Sequence, residues 1–215
     1  MSTSRAGGPE PEAAPAPETG ADDAGVESNA RLTAMTAAVL LVLLAVEGVT
    51  VLRVHSLLWL HVFLGTALVP PVLLKIGSTC YRFVRYYLGA PAYRRKGPPP
   101  PVLRVLGPIV VITTLTLLGS GIALMFVGVG SRQPWLLLHK ASFVIWFAAM
   151  VFHVLGHLLE TARLAPRDWL DRAHSDIAGA RWRQWVVAAS VAVGVPLGLL
   201  LSGRANSWFG PPFFH

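Results

Sequence analysis

The amino-acid sequence predicts an all-α, polytopic membrane protein with five transmembrane helices. The chain has 215 residues, of which 53% are hydrophobic and only 13% are charged, whereas soluble domains carry about 25% charged residues. The apolar residues gather into five runs, each close to the ~20 residues that a helix needs to cross the hydrocarbon core of a bilayer. A helix is the expected state of each run, because it satisfies every backbone polar group internally.

The predicted spans follow one another along the chain with no internal repeat. They cover residues 34–52, 57–76, 105–127, 135–159 and 185–201. Pro70 and Pro71 in the second span and Pro196 in the fifth are interpreted as kinks, which membrane helices tolerate. Residues 98–101 are four consecutive prolines, a stiff spacer before the third span.

The segments outside the spans define the remaining organisation. Residues 1–30 are acidic and rich in Pro and Ala, and we expect a disordered cytoplasmic tail there. Residues 31–204 form the predicted transmembrane helical domain, and residues 205–215 form an extracytoplasmic C-terminal tail. The first thirty residues do not resemble a signal peptide, because they lack a basic start followed by an apolar stretch.

Basic residues predict the orientation. Residues 31–215 carry 17 of the 18 Lys and Arg residues but only 5 of the 11 Asp and Glu residues. Two loops hold most of the positive charge: Arg82, Arg85, Arg94, Arg95, Lys96 and Arg104 after span two, and Arg163, Arg167, Arg172, Arg181 and Arg183 after span four. The positive-inside rule places these loops and the N-terminus in the cytoplasm. Topology explains the charge without a nucleic-acid partner, and the Arg-, Ala- and Gly-rich composition indicates a bacterial plasma membrane.

Four histidines lie inside the apolar spans, where polar side chains are costly and are functional-site candidates. They are His61 in the second span and His139, His153 and His157 in the fourth. His61 and His139 each lie four residues inside the outer edge of their span, about 6 Å below it. Two imidazoles at one depth on two helices can coordinate one haem iron from opposite faces. The alternative is a hydrogen bond between helices.

The fourth span places its histidines on one stripe. His153 and His157 follow His139 by 14 and 18 residues, which is about four and five helical turns. The first interval rises about 21 Å, enough to stack two haems across a bilayer. Lys75, not a histidine, stands fourteen residues after His61. The sequence therefore predicts one haem b and leaves a second without its facing ligand, so that a buried neutral histidine is the alternative for His153.

Other residues border the predicted outer site. Gly65, one turn inward from His61, removes a side chain where a porphyrin ring could approach. Arg53 and Lys140 are candidate partners for haem propionates, with snorkelling to the interface as the alternative. Glu47 lies in the outer half of the first span, where an acid must be protonated or paired. Relaying protons to a quinone and bonding a histidine are its two candidate roles.

Two stretches around the histidines carry a resemblance to known families. They are residues 59–65, Trp-Leu-His-Val-Phe-Leu-Gly, and the part of the fourth span from Leu-His-Lys at 138–140 to Phe-His-Val-Leu-Gly-His at 152–157. This pattern resembles the four-helix cytochrome b-561 and ferric-reductase-like transmembrane families. The resemblance covers residues 34–201 and is one of spacing rather than of an exclusive signature.

The resemblance implies a four-helix haem-binding bundle with His61, His139 and His153 as iron ligands. Members of these families hold haem b between paired histidines and move electrons. The chain would then be a b-type cytochrome that carries electrons between the quinone pool, or a redox partner, and an extracytoplasmic acceptor. It would be an electron-transfer subunit of an oxidoreductase rather than a stand-alone enzyme, with the lipid bilayer, a quinone and an extracytoplasmic redox enzyme as partners. The alternative is a cofactor-free membrane anchor or sensor subunit.

Overall fold

The structure, a computed structural model, describes residues 19–98, 100–170 and 178–208. All regular secondary structure in these ranges is helical, and none of the described residues forms a strand. The helices are α1 (Thr19–Leu52), α2 (Val54–Ala67), α3 (Val69–Tyr87), α4 (Pro91–Lys96), α5 (Pro101–Phe126), α6 (Arg132–Leu164), α7 (Arg167–Leu170) and α8 (Ala180–Ser202), with short 3-10 helices at Val129–Ser131 and Gly203–Trp208. The predicted all-α class is confirmed for this part of the chain. The predicted tails, residues 1–30 and 205–215, fall partly outside it.

Five helical segments are long and apolar enough to cross a membrane, as predicted. They are Asp22–Leu52, Val54–Tyr87, Pro101–Phe126, Val129–Trp169 and Ala180–Asn206. Large apolar side chains on their outer faces are exposed, among them Leu52, Val144 and Leu200. Exposed apolar faces suit contact with lipid, where only internally hydrogen-bonded helices are stable. By helix length and composition, the chain is a multi-pass membrane protein.

The first helix begins earlier than its apolar run. α1 starts at Thr19, so residues 19–30 are helical and do not belong to a disordered tail; this corrects the predicted boundary. Two tertiary contacts hold these polar turns in place. Val26 packs against α4, and Arg95 Nη2 donates a 2.7 Å hydrogen bond to Asp23 Oδ1. Hydropathy detects only the apolar part of a helix, so the polar first turns of α1 cannot be predicted from it.

The second span is interrupted at its proline pair. α2 ends before Leu68 and α3 begins after it, with Pro70 and Pro71 in the first turn of α3. Prolines are tolerated there because the N–H groups of a first turn have no intrahelical acceptor. Leu68 keeps helical dihedrals (φ −69°, ψ −19°), and its carbonyl accepts a 3.0 Å bond from Val72 N. α2 and α3 therefore continue one another as a single interrupted span.

Contacts at the two ends of the bundle show how the helices alternate. At one end, Arg183 at the start of α8 donates to Ser28 near the start of α1, close to Asp168. At the other end, Thr50 near the end of α1 lies beside His61 of α2. These ends are called the Asp168 end and the His61 end below. α1, α5 and α8 run toward the His61 end, and α2–α3 and α6 return from it.

The backbones of α2 and α8 approach each other closely. Gly194 and Gly198 of α8 face the carbonyl oxygens of Ala67 and Phe63. A Cβ at position 198 would lie 2.7 Å from the Phe63 oxygen, and one at position 194 would lie still closer to the Ala67 oxygen. Small residues four apart are a common device for close packing of membrane helices. Through this contact α8 packs along α2, the helix that bears His61.

Candidate functional site

The structure brings His61 of α2 and His139 of α6 together. Their ring centroids lie 6.3 Å apart and their planes are inclined by 79°. Their helices have other principal neighbours, since α2 packs mainly against α8 and α6 mainly against α5. The two rings thus meet edge to face between helices that have other main packing partners. This is the arrangement that their equal depth predicts.

The His61 ring is oriented by the last turns of α1. Glu47 Oε1 lies 2.7 Å from His61 Nδ1, and Thr50 Oγ1 lies 3.2 Å from the same nitrogen. The Thr50 hydroxyl is also 3.0 Å from Glu47 Oε2. Of the two candidate roles for Glu47, the bond to a histidine is the one present. The Glu47 side chain is only 12% exposed.

The His139 ring is oriented by α5 through uncharged groups. Its Nδ1 lies 3.1 Å from the Leu117 carbonyl oxygen and 3.2 Å from Ser120 Oγ. Ser120 is buried, and its hydroxyl donates to the same Leu117 carbonyl at 3.0 Å. A Cβ at Gly121 would lie 3.1 Å from His139 Cε1, so the ring lies over a position where a side chain would crowd it.

The two rings have the spacing and the free nitrogens that a shared metal centre requires. A metal ion bonded to two imidazole nitrogens at about 2.0–2.1 Å each holds the ring centroids about 6 Å apart. Nδ1 of His61 bonds a carboxylate and Nδ1 of His139 bonds a backbone carbonyl, which are the usual outer partners of metal-bound histidine. Within the described residues neither Nε2 has a hydrogen-bond partner. Each Nε2 therefore keeps a lone pair that can bind a metal.

The number of protein ligands favours a cofactor that brings its own donor atoms. In the described part of the chain, no group of three or more His, Cys, Asp and Glu side chains is placed to hold a metal ion. Glu47 is turned toward His61 Nδ1 and is therefore a partner of a ligand rather than a ligand itself. Two protein imidazoles would supply only part of the ligand set of an iron ion, and a porphyrin would supply the other donor atoms. The residues present therefore fit haem better than a bare ion.

The other predicted residues of the outer site lie nearby but make different contacts. A Cβ at Gly65 would meet Glu47 Oε1 at 3.6 Å, so this glycine borders the carboxylate rather than an open space. Arg53 and Lys140 are both exposed at the His61 end. Their side chains remain candidates for propionate contacts from that position.

His153 lies apart from this pair. Its Nδ1 is buried and has no hydrogen-bond partner among the described residues. The nearest ring is that of His157 on the same helix, 4.8 Å away, and His157 Nδ1 in turn lies 3.4 Å from Glu160. Lys75, predicted at this level, donates from Nζ to the Thr33 carbonyl oxygen at 3.0 Å. The structure therefore places no facing imidazole from α3 opposite His153.

The outer partners Thr50, Leu117 and Ser120 were not anticipated from the sequence. A signal for Thr50 existed, because it lies three residues after Glu47 and shares a helix face with it. Ser120 stands between Gly119 and Gly121, two glycines of the third span that could admit a porphyrin ring, as Gly65 could, or could serve helix packing alone. The rotation of α5 against α6, which brings Leu117 to His139, is a tertiary feature with no local signature.

Comparisons with protein-family models, with curated proteins and with solved structures find no match to this chain.

Proposed function

We propose that this chain is a membrane-bound b-type cytochrome that holds one haem b between α2 and α6. It would carry electrons between the quinone pool, or a redox partner, and an extracytoplasmic acceptor, as an electron-transfer subunit. The observation that carries the proposal is the pair of rings at 6.3 Å, each tied through Nδ1 to a group of the protein. The spacing of histidines shared with cytochrome b-561-like families agrees with it.

The protein residues would do the following work. His61 and His139 would hold the haem iron. Glu47 and the Leu117 carbonyl hold the Nδ1 protons, which fixes both tautomers and keeps each Nε2 lone pair free. Arg53 and Lys140 are placed to meet propionates at the His61 end. When bound, haem supplies a one-electron redox centre whose potential depends on its ligands and their hydrogen bonds.

The orientation of the site follows from the charge distribution. The basic loops lie toward the Asp168 end, which we assign to the cytoplasm of a bacterial cell. The His61 end then faces outward, so that the redox centre lies close to the extracytoplasmic surface. A donor or acceptor outside the membrane could approach it more closely than a cytoplasmic one.

The first prediction tests haem binding directly. We expect the purified wild-type protein to be coloured, with a Soret band and a sharp α band on reduction, and with one haem per chain. His61→Ala and His139→Ala should each abolish these bands, because either change removes one of the two side chains that would hold the iron. The matched control is His55→Ala, since His55 is exposed near the start of α2 and should keep full haem content. A colourless wild-type protein would refute the proposal.

A cofactor-free anchor or sensor subunit is the second candidate. One observation favours it: Glu47 and His61 bond directly across α1 and α2, and such pairs can hold membrane helices together without any metal. This candidate predicts a colourless protein that folds normally. The same spectrum and haem assay separate the two functions.

A further inference from the structure

We propose that Glu47 is a positioning residue that makes the two haem ligands unequal and lowers the midpoint potential of the site. This inference rests on the proposed function, since it concerns the same pair of histidines. It goes beyond ligation by assigning a redox-tuning role to one acidic side chain on α1.

The two ligands differ in the charge of their outer partners. His61 Nδ1 lies 2.7 Å from a carboxylate oxygen of Glu47, whereas His139 Nδ1 lies 3.1 Å from the neutral Leu117 carbonyl. Hydrogen bonds to an ionised acceptor are shorter and roughly twice as strong as those between neutral groups. His61 is therefore the more strongly polarised of the two rings.

The carboxylate is held in place rather than free to turn away. Glu47 Oε1 accepts from His61 Nδ1 at 2.7 Å. The Thr50 hydroxyl lies 2.7 Å from the Glu47 backbone carbonyl oxygen and 3.0 Å from Oε2, and it shares its one proton between them. A Cβ at Gly65 would stand 3.6 Å from Oε1, which is ordinary contact, whereas a larger side chain would displace the acid. An acid in an apolar span is costly unless it is partnered, and here it is partnered on both sides.

The consequence for the metal follows from electrostatics. A carboxylate that draws on the Nδ1 proton raises the basicity of the ring and the electron density at Nε2. The negative charge and the stronger donor both favour ferric over ferrous iron, which has one positive charge less. Hydrogen bonding to an axial ligand is one of the means by which a protein sets the potential of haem. Loss of the carboxylate should therefore raise the midpoint potential.

The experiment compares full-length Glu47→Gln with a matched change at the other ligand, Ser120→Ala. Redox titration at one fixed pH gives the midpoint potential, and electron paramagnetic resonance of the ferric protein reports the axial field. For Glu47→Gln we expect retained low-spin bis-histidine signals with shifted g values, a midpoint moved upward, and haem affinity lowered about 10–100-fold. Ser120→Ala should move the midpoint much less, because the Leu117 carbonyl still accepts from His139.

The outcomes separate this inference from the proposed function. A wild-type protein without haem refutes both. The inference is overturned if haem-loaded Glu47→Gln has an unchanged midpoint potential, or if its midpoint shifts no more than that of Ser120→Ala. The proposal of a cytochrome would still stand. If Glu47→Gln loses its haem or does not fold, Thr50→Val decides, because it keeps the acid but removes the hydroxyl that holds it. An upward midpoint shift there supports the inference, and no shift overturns it.

Discussion

Among the described residues, three buried charged side chains gather around Asp168, at the end of the bundle opposite the paired histidines. This side chain is fully buried, and both of its oxygens accept bonds from Arg183. Arg31 Nη1 lies 3.3 Å from Oδ1, and Arg183 is also bonded to Ser28. One aspartate therefore joins α1, α7 and α8. Buried charges are tolerated only when they are paired and hydrogen-bonded, so the three side chains depend on one another.

This dependence predicts a large effect of Asp168→Asn. The change removes the carboxylate that both arginines bond. Arg31 keeps its 3.1 Å pair with Glu27, but Arg183 stays buried without the carboxylate that accepts from it, which should lower the free energy of unfolding by about 3–5 kcal/mol. Unfolding in detergent with increasing SDS, followed by tryptophan fluorescence, measures the effect. The control is Asp23→Asn, because the Asp23 pair with Arg95 is exposed and should contribute less than about 1 kcal/mol. Equal loss in both variants would contradict the role of the buried cluster.

Residues of the candidate site differ in how far the sequence predicts them. Counting depth along two helices is enough to place His61 level with His139, because the rise of a helix is constant. The same counting leaves Glu47 with two candidate roles, since the choice depends on how α1 is rotated against α2. The Arg183–Asp168 pair is not anticipated at all. Its arginine is interpreted only as topological charge, and nothing local indicates that it is buried.

At the scale of the helices, the glycines of α8 carry a second stability prediction. Gly194→Ala and Gly198→Ala should each push α8 away from α2, because the new methyl group meets backbone oxygen rather than a movable side chain. Overpacking of this kind typically costs about 1–3 kcal/mol. The same SDS unfolding series measures it, and haem content reports whether the displacement reaches His61.

The control for this prediction is another glycine within a membrane helix. A Cβ at Gly77 of α3 would meet nothing within 4 Å. Gly77→Ala should therefore be neutral or stabilise the helix by about 0.5–1 kcal/mol. If Gly194→Ala and Gly198→Ala behaved like Gly77→Ala, the close approach of α8 to α2 would be wrong.

Helix centres are predicted better than helix ends. The apolar runs mark all five segments because the bilayer imposes their length. The ends extend beyond the runs where polar turns make tertiary contacts, as in α1 from Thr19 and in α6, which continues to Leu164. The sequence predicts a kink at the proline pair. The structure has an interruption at Leu68, but the near-helical dihedrals of Leu68 keep the span continuous.

The whole molecule has two chemically different ends. The Asp168 end carries the loops in which most Lys and Arg residues lie, and it also holds the buried Asp168 cluster. The His61 end carries the paired histidines, and there Arg132 stacks on Trp208 and Arg204 on Phe126. Cationic groups over aromatic faces suit the interfacial zone of a bilayer. A strong charge difference between the ends gives the molecule a preferred direction of insertion, which the fold alone does not specify.

This direction can be tested by labelling single cysteines from either side of the membrane. Cys80 is the one cysteine of the sequence, so a Cys80→Ser background accepts either Lys96→Cys at the Asp168 end or Ser131→Cys at the His61 end, both at exposed positions. Because basic loops remain in the cytoplasm, a membrane-impermeant maleimide should label Ser131→Cys in right-side-out vesicles and Lys96→Cys in inverted ones. The reverse pattern would place the histidine pair near the cytoplasmic face. The proposed electron acceptor would then be expected inside the cell, while the proposal of haem binding would be unaffected.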